Sequence, residues 1–253
     1  MRLKAPPGRL APLLASFALL AACATAGGDD DDDIVSVADA SPPGTPDASP
    51  PGTPDATPTG TPDARPSTPV ELTITQSTNT TTITALNSIS CNAAGLHSNN
   101  SYYRVFNLST FGITSAYNVS KISLGIEIAT AGAGGTQPAT VRIHTLSGAL
   151  TLANLTQVGT VATTIADTAV GVVIDIPVTA VVPAGSLMVV EVFTPDGQAA
   201  GHSLFVGSNT LGQTGPTYLS AVDCAATEPT DVATLGFPDM HMVLTVTGTH
   251  TPN

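Results

Sequence analysis

Lys121-Ile122-Ser123-Leu124-Gly125-Ile126-Glu127-Ile128 puts an aliphatic residue at every second position and a polar or small one between. In an extended chain successive side chains point to opposite faces, so this octapeptide lays four aliphatic groups on one face. A helix would scatter them around its circumference. Period two therefore assigns a strand with one buried face.

Outward from this stretch the pattern recurs. Val70, Leu72 and Ile74 alternate with polar neighbours, as do Val141 and Ile143, then Val172, Ile174 and Ile176, then Met240, Met242, Leu244 and Val246. Each run is rich in β-branched residues and bounded by Gly, Pro, Asn or Asp. Leu187 to Phe193 is more continuously apolar, which reads as a strand buried on both faces or central to the domain. Nine or ten strands are expected and no window has helical periodicity. The fold expected for residues 70–253 is an all-β, antiparallel β-sandwich of jelly-roll type.

The chain before Val70 has another character. Residues 1–22 read as a lipoprotein signal peptide: Arg2, Lys4 and Arg9 form a basic start, and an apolar stretch follows from Leu10 to Ala22. That stretch is well short of the ~20 residues that span a bilayer. It ends in Leu20-Ala21-Ala22-Cys23, a lipobox, which makes Cys23 the expected lipidation site. Each buried methylene contributes ~0.8 kcal/mol, so two or three acyl chains on one cysteine anchor a protein durably. The expected location is the cell envelope, lipid-anchored at the outer membrane and facing the periplasm or the exterior. Ala24, where an aspartate would favour inner-membrane retention, points the same way.

Residues 23–69 read as a disordered acidic stalk. Asp29 to Asp33 form an unbroken carboxylate run. Asp-Ala-Ser-Pro-Pro-Gly-Thr-Pro then begins at Asp39 and again at Asp47, with related copies at Asp55 and Asp63. A unit this rich in proline and without large apolar residues buries no core, and keeps a polyproline-like bias. Fully extended, residues 39–69 would reach roughly 95 Å at ~3.1 Å per residue. The aspartate run lacks the interleaved Gly and Asn of a calcium loop, so no metal is assigned to it. Self-repulsion that keeps the stalk extended, or a sorting signal, is the expected role.

The chain carries 7 Lys and Arg against 19 Asp and Glu. Removal of Arg2, Lys4 and Arg9 with the leader would leave four basic residues, a formal charge of 4 − 19 = −15. Such a chain does not hold nucleic acid through phosphate contacts, and its contact with lipid runs through the anchor alone. With Cys23 spent on lipid, Cys91 and Cys224 form an even pair in an oxidising compartment. A disulfide between them is expected; the alternative is two separate buried thiols.

No catalytic constellation stands out. Five histidines occur (His97, His144, His202, His241, His250), but no serine sits in a Gly-x-Ser-x-Gly elbow. Asp239 and His241, two apart on an expected strand, share a face and form the best chemical candidate, although a structural role at a strand entrance outweighs it. No cofactor, metal or catalytic residue is assigned, and the chain is read as no enzyme. Binding is the stronger reading, with a glycan or a surface protein as partner. The chain has no Trp, so its scarce aromatics carry weight. The candidate binding loops contain Tyr102 and Tyr103, Gly207 to Tyr218, and Gly236 to Asp239. An architectural surface-coat component is the alternative, and a hydrolase acting on envelope or extracellular polymer a more distant one.

Several segments carry a resemblance: Ser101-Tyr102-Tyr103-Arg104-Val105-Phe106, Val190-Glu191-Val192-Phe193-Thr194-Pro195, Gly207-Ser208-Asn209, and Gly212-Gln213-Thr214. It continues through Pro216-Thr217-Tyr218-Leu219, Cys224, Pro229-Thr230, and above all Gly236-Phe237-Pro238-Asp239-Met240-His241. They resemble the β-sandwich accessory domains of large secreted and cell-surface bacterial proteins, often found beside proteases or adhesion modules. The resemblance covers most of residues 71–248. It implies an extracellular, non-catalytic, jelly-roll-like module and supplies no binding residues. This chain departs from the pattern in standing alone on a lipid anchor, which puts a role in directing an attached enzyme in doubt.

Overall fold

The computed structural model describes residues 2–4, 67–130, 132 and 134–252. Lipidation at Cys23 and the stalk repeats lie outside the described residues. In chain order the strands are β1 (Arg2–Lys4), β2 (Val70–Thr75), β3 (Ser90–Ala93), β4 (Leu96–His97), β5 (Asn100–Asn107), β6 (Tyr117–Thr130), β7 (Thr136–Leu146) and β8 (Leu155–Ala166). They continue as β9 (Val170–Val182), β10 (Leu187–Thr194), β11 (Ser203–Val206), β12 (Ser208–Asn209), β13 (Tyr218–Ala221), β14 (Ala226–Asp231), β15 (His241–Met242) and β16 (Leu244–His250). Among the described residues the only helical pieces are three short 3-10 turns. The chain is all-β, with more strands than the sequence pattern announces because several are only two to four residues long.

All strand pairings are antiparallel. One sheet has six strands in the order β14-β13-β5-β10-β7-β8. In the second, β9 pairs one edge of β6 along most of its length, β16 and then β11 share the other edge of β6, and β2 pairs β16. β1 pairs with β3 over Arg2–Lys4, within the segment read as the leader; cleavage before Cys23 would remove that pairing.

The period-two reading of β6 places its faces. Ile122, Leu124 and Ile126 are buried, and from the opposite sheet Met188, Val190 and Val192 of β10 join the same apolar cluster. Two antiparallel sheets sharing one core are consistent with a β-sandwich. β10 lies between β5 and β7, inside the six-stranded sheet, and its apolar stretch, broken only by Glu191, is largely buried on both faces. At Gly125 two further backbones close in: Gly125 donates to the Val243 carbonyl and accepts from the Gly207 amide. A Cβ at Gly207 would lie 2.6 Å from the Gly125 carbonyl carbon, so neither position has room for a side chain.

Cys91 and Cys224 are joined, with Cα atoms 5.9 Å apart at a sequence separation of 133. The bridge ties buried β3 to the turn that precedes β14. A loop this long gives about 5 kcal/mol by the chain-entropy estimate.

Candidate functional site

A cleft of about 660 Å³ gathers segments far apart in sequence. Thr75 and Gln76 arrive at the end of β2, Val105 and Asn107 at the end of β5, and Leu187 at the start of β10. Phe111 comes from the 3-10 turn Leu108–Phe111, whose first turn is capped by the Asn107 side chain, which accepts from the Ser109 amide. Gly112, at φ 76°, ends that turn. Phe111 leans on the buried Phe106, with ring centroids 6.1 Å apart. Thr214, Gly215, Pro216 and Tyr218 close the other side. The lining is two half-buried aromatic rings beside amide and hydroxyl groups, the mixture typical of binding sites.

Two side chains hold the walls. The Gln76 amide donates to the Val105 carbonyl at 2.7 Å, while its Oε1 is buried with no partner. Arg104, on β5 between Tyr102 and Phe106, is 1% exposed. Its guanidinium donates to the carbonyls of Gly215 at 2.5 Å and Met242 at 2.6 Å. Burial pushes it down to about 10, yet it remains the cation that pins the Gly215 wall.

The expected site residues separate. Tyr218 lines the cleft, and burial raises its phenol. Tyr102 and Tyr103 are not loop residues: both are 1% exposed and lie inside β5. The Tyr102 hydroxyl donates to the Ile89 carbonyl at 2.9 Å, and the Tyr103 hydroxyl pairs with Ser220 at 3.1 Å. The misreading has a physical cause: β5 fills both faces with large side chains, which hides its period-two pattern. Asp239 is exposed in the turn before β15 and lines a separate depression of about 210 Å³ with Leu86, Asn87 and Phe237. It is not on a strand, so the shared-face pairing with His241 does not hold. His241 Nδ1 accepts from the Gly212 amide at 3.0 Å, and its Nε2 faces the Pro238 carbonyl at 3.2 Å. Both ring nitrogens therefore clip two loops together.

The titratable cluster that the sequence does not announce centres on Glu191, 6% exposed in β10. Its Oε1 accepts from Ser101 at 2.8 Å and from Arg142 at 2.6 Å, and its Oε2 meets His144 Nε2 at 2.9 Å. Arg142 also stacks 4.7 Å over the Phe193 ring. Burial opposes ionisation of Glu191, but the bonds from His144 and Ser101 and the Arg142 charge outweigh it and hold the carboxyl below its usual range. The carboxylate stands between the serine and the histidine, so the imidazole does not receive the Ser101 proton. This is a structural ion network and not a nucleophilic triad. Nearby, the Leu152 amide donates to Glu228 at 2.7 Å. That bond ties the β7–β8 connection to β14.

His97 is likewise structural. Buried in β4, it donates from Nδ1 to the His202 carbonyl at 3.1 Å, and burial lowers its proton affinity. Glu127, 3% exposed, accepts the Leu86 and Ser88 amides at 2.6 and 2.9 Å. Beside it an apolar groove of about 260 Å³ runs past Ile83, Leu86 and Val170. Among the described residues no three His, Cys, Asp or Glu side chains converge as a metal site would require. His250 closes β16 opposite Val70 and is 7% exposed. No protein-family model matches the chain, and no curated protein is significantly similar to it.

Proposed function

We propose that the chain is a lipid-anchored cell-envelope protein, held at the outer membrane through Cys23, whose jelly-roll domain is a non-catalytic binding module. One observation carries the binding reading: the 660 Å³ cleft lined by Tyr218, Phe111 and several amide and hydroxyl groups. The acidic stalk would carry the module away from the membrane, and the anchor supplies the only contact with lipid.

The test uses the mature lipoprotein in detergent micelles, offered purified envelope polysaccharide and an envelope protein fraction in parallel. Tyr218→Ala and Phe111→Ala should each weaken retention at least tenfold while the far-ultraviolet circular dichroism stays unchanged. Equal retention by folded variants refutes the cleft. A parent protein retained by neither material favours the architectural reading. That reading has its own support in the exposed apolar side chains beside the smaller groove, Leu86 at 48% and Val170 at 45% exposure.

A further inference from the structure

The ladder between β13 and β5 stops short. Tyr218, Leu219 and Ser220 pair with Tyr103, Tyr102 and Ser101, and the pairing goes no further along β5. β5 itself continues to Asn107, fully paired on its other side with β10. The edge from Arg104 to Asn107 therefore has no strand on the β13 side. The chain that would have continued the ladder turns away. Pro216 has no amide hydrogen to donate. The Thr214 amide bonds instead to the Gln76 carbonyl at 2.8 Å, and Arg104 holds the Gly215 carbonyl. The cleft is the gap left by this divergence.

The Gln76 carboxamide occupies one position of the missing strand. Its N–H donates to the Val105 carbonyl as a neighbouring backbone would, and its Oε1 has no donor. Gly215 makes room for it: a Cβ there would lie 2.3 Å from Gln76 Nε2 and 2.6 Å from Cδ. The Asn107 carbonyl accepts from Thr110 Oγ1 at 2.8 Å, as the Val105 carbonyl does from Gln76, so an incoming backbone takes the places these two side chains hold, at a strand spacing that sugar hydroxyls do not match. The two aromatic rings are only half exposed, which is poor for stacking a pyranose.

We propose that the cleft takes an extended polypeptide segment as an added strand along Arg104–Asn107, so that the ligand of the binding site is a protein strand and not a glycan. The proposal rests on the reading of the cleft as the binding site. About four residues at ~3.3 Å each cover the open edge. Alternate side chains of the incoming strand meet Phe111, Leu187 and Tyr218, so that row is apolar or aromatic. The opposite row faces a domain with ten acidic and three basic residues from Val70 onward, which favours Lys or Arg over Asp or Glu.

The experiment selects a random dodecapeptide display library on the mature lipoprotein in micelles and screens a glycan array beside it. The expected result is enrichment of peptides alternating apolar and basic residues. A synthetic copy of the enriched sequence should slow amide exchange at Val105 and Asn107 at least tenfold. Gly215→Ala, which displaces the Gln76 amide and frees the Val105 carbonyl for the incoming backbone, should bind that peptide no more weakly than the parent. Leu187→Lys, which sets a like charge at the rim, should weaken it at least tenfold. Leu211→Ser, exposed and outside the cleft, should bind as the parent does. Glycan binding without peptide binding overturns the strand and leaves the cleft reading standing. Peptides that protect other amides overturn the placement, and binding of neither class sinks both readings.

Discussion

Glu191→Gln is the sharpest probe of what holds the six-stranded sheet together. The side chain is 6% exposed and takes three charged or polar partners from β5 and β7. Removing one member of a buried ion pair costs about 3–5 kcal/mol, because the partners keep their desolvation penalty without their bonds. Glutamine keeps the shape and still accepts from Ser101 and Arg142, so the loss should lie near 3 kcal/mol, with Glu191→Ala higher. For a domain of this size each kcal/mol moves the melting temperature by about 2–4 °C, giving a fall of roughly 6–12 °C. The carboxyl is held below its ordinary value in the folded state. Its contribution is therefore complete above the unfolded carboxylate range and lost as pH falls through the lowered folded value. The gap between parent and Glu191→Gln, measured by urea unfolding with the disulfide intact, should be widest near pH 7 and should shrink in strong acid. A loss under about 1 kcal/mol at pH 7, or a gap that does not change with pH, would refute the network as a stabilising element.

Three further outcomes are expected. A Cys91→Ala, Cys224→Ala double variant should lose up to about 5 kcal/mol, read as a lower urea midpoint, and non-reducing peptide mapping of the parent should show one cross-linked pair. His97 has its proton affinity lowered by burial, with Asp196 and His202 as its titratable neighbours. Its contribution is thus complete above the ordinary imidazole value of about 6.5 and falls below it, levelling off under the folded value; His97→Asn should flatten the urea-midpoint slope between pH 6.5 and 5. Cys23→Ser should abolish incorporation of a fatty-acid probe, and label retained by the variant would refute the lipobox reading.

Much of the architecture is legible in the residue order because its cause is local. Ile122, Leu124 and Ile126 repeat every second residue, and a strand buried on one face needs nothing else to be recognised. Leu187 to Phe193 announces an interior strand by lacking a polar face, which is where β10 lies. Cys91 and Cys224 were pairable by arithmetic alone, and they are bonded. β5 escaped, because a strand that buries Tyr103 on one face and Tyr102, Arg104 and Phe106 on the other has no hydrophobic period. The Asp239–His241 pair escaped in the opposite sense: spacing suggested a shared face, but a turn places Asp239 before the strand, and backbone groups occupy both nitrogens of His241.

The order of residues by itself determined that this chain forms antiparallel β structure from Val70 onward, since backbone pairing and side-chain alternation are properties of short segments. Only the tertiary structure decided where the cleft lies. The cleft joins residues 75–76, 105–111, 187 and 214–218, and it opens because one strand ladder ends before its neighbour does. Register and strand length are set by packing between distant segments, so no local pattern encodes that gap. The same holds for Glu191. A lone carboxylate in an apolar strand becomes a stable buried anion only when folding brings Arg142, His144 and Ser101 to its two oxygens.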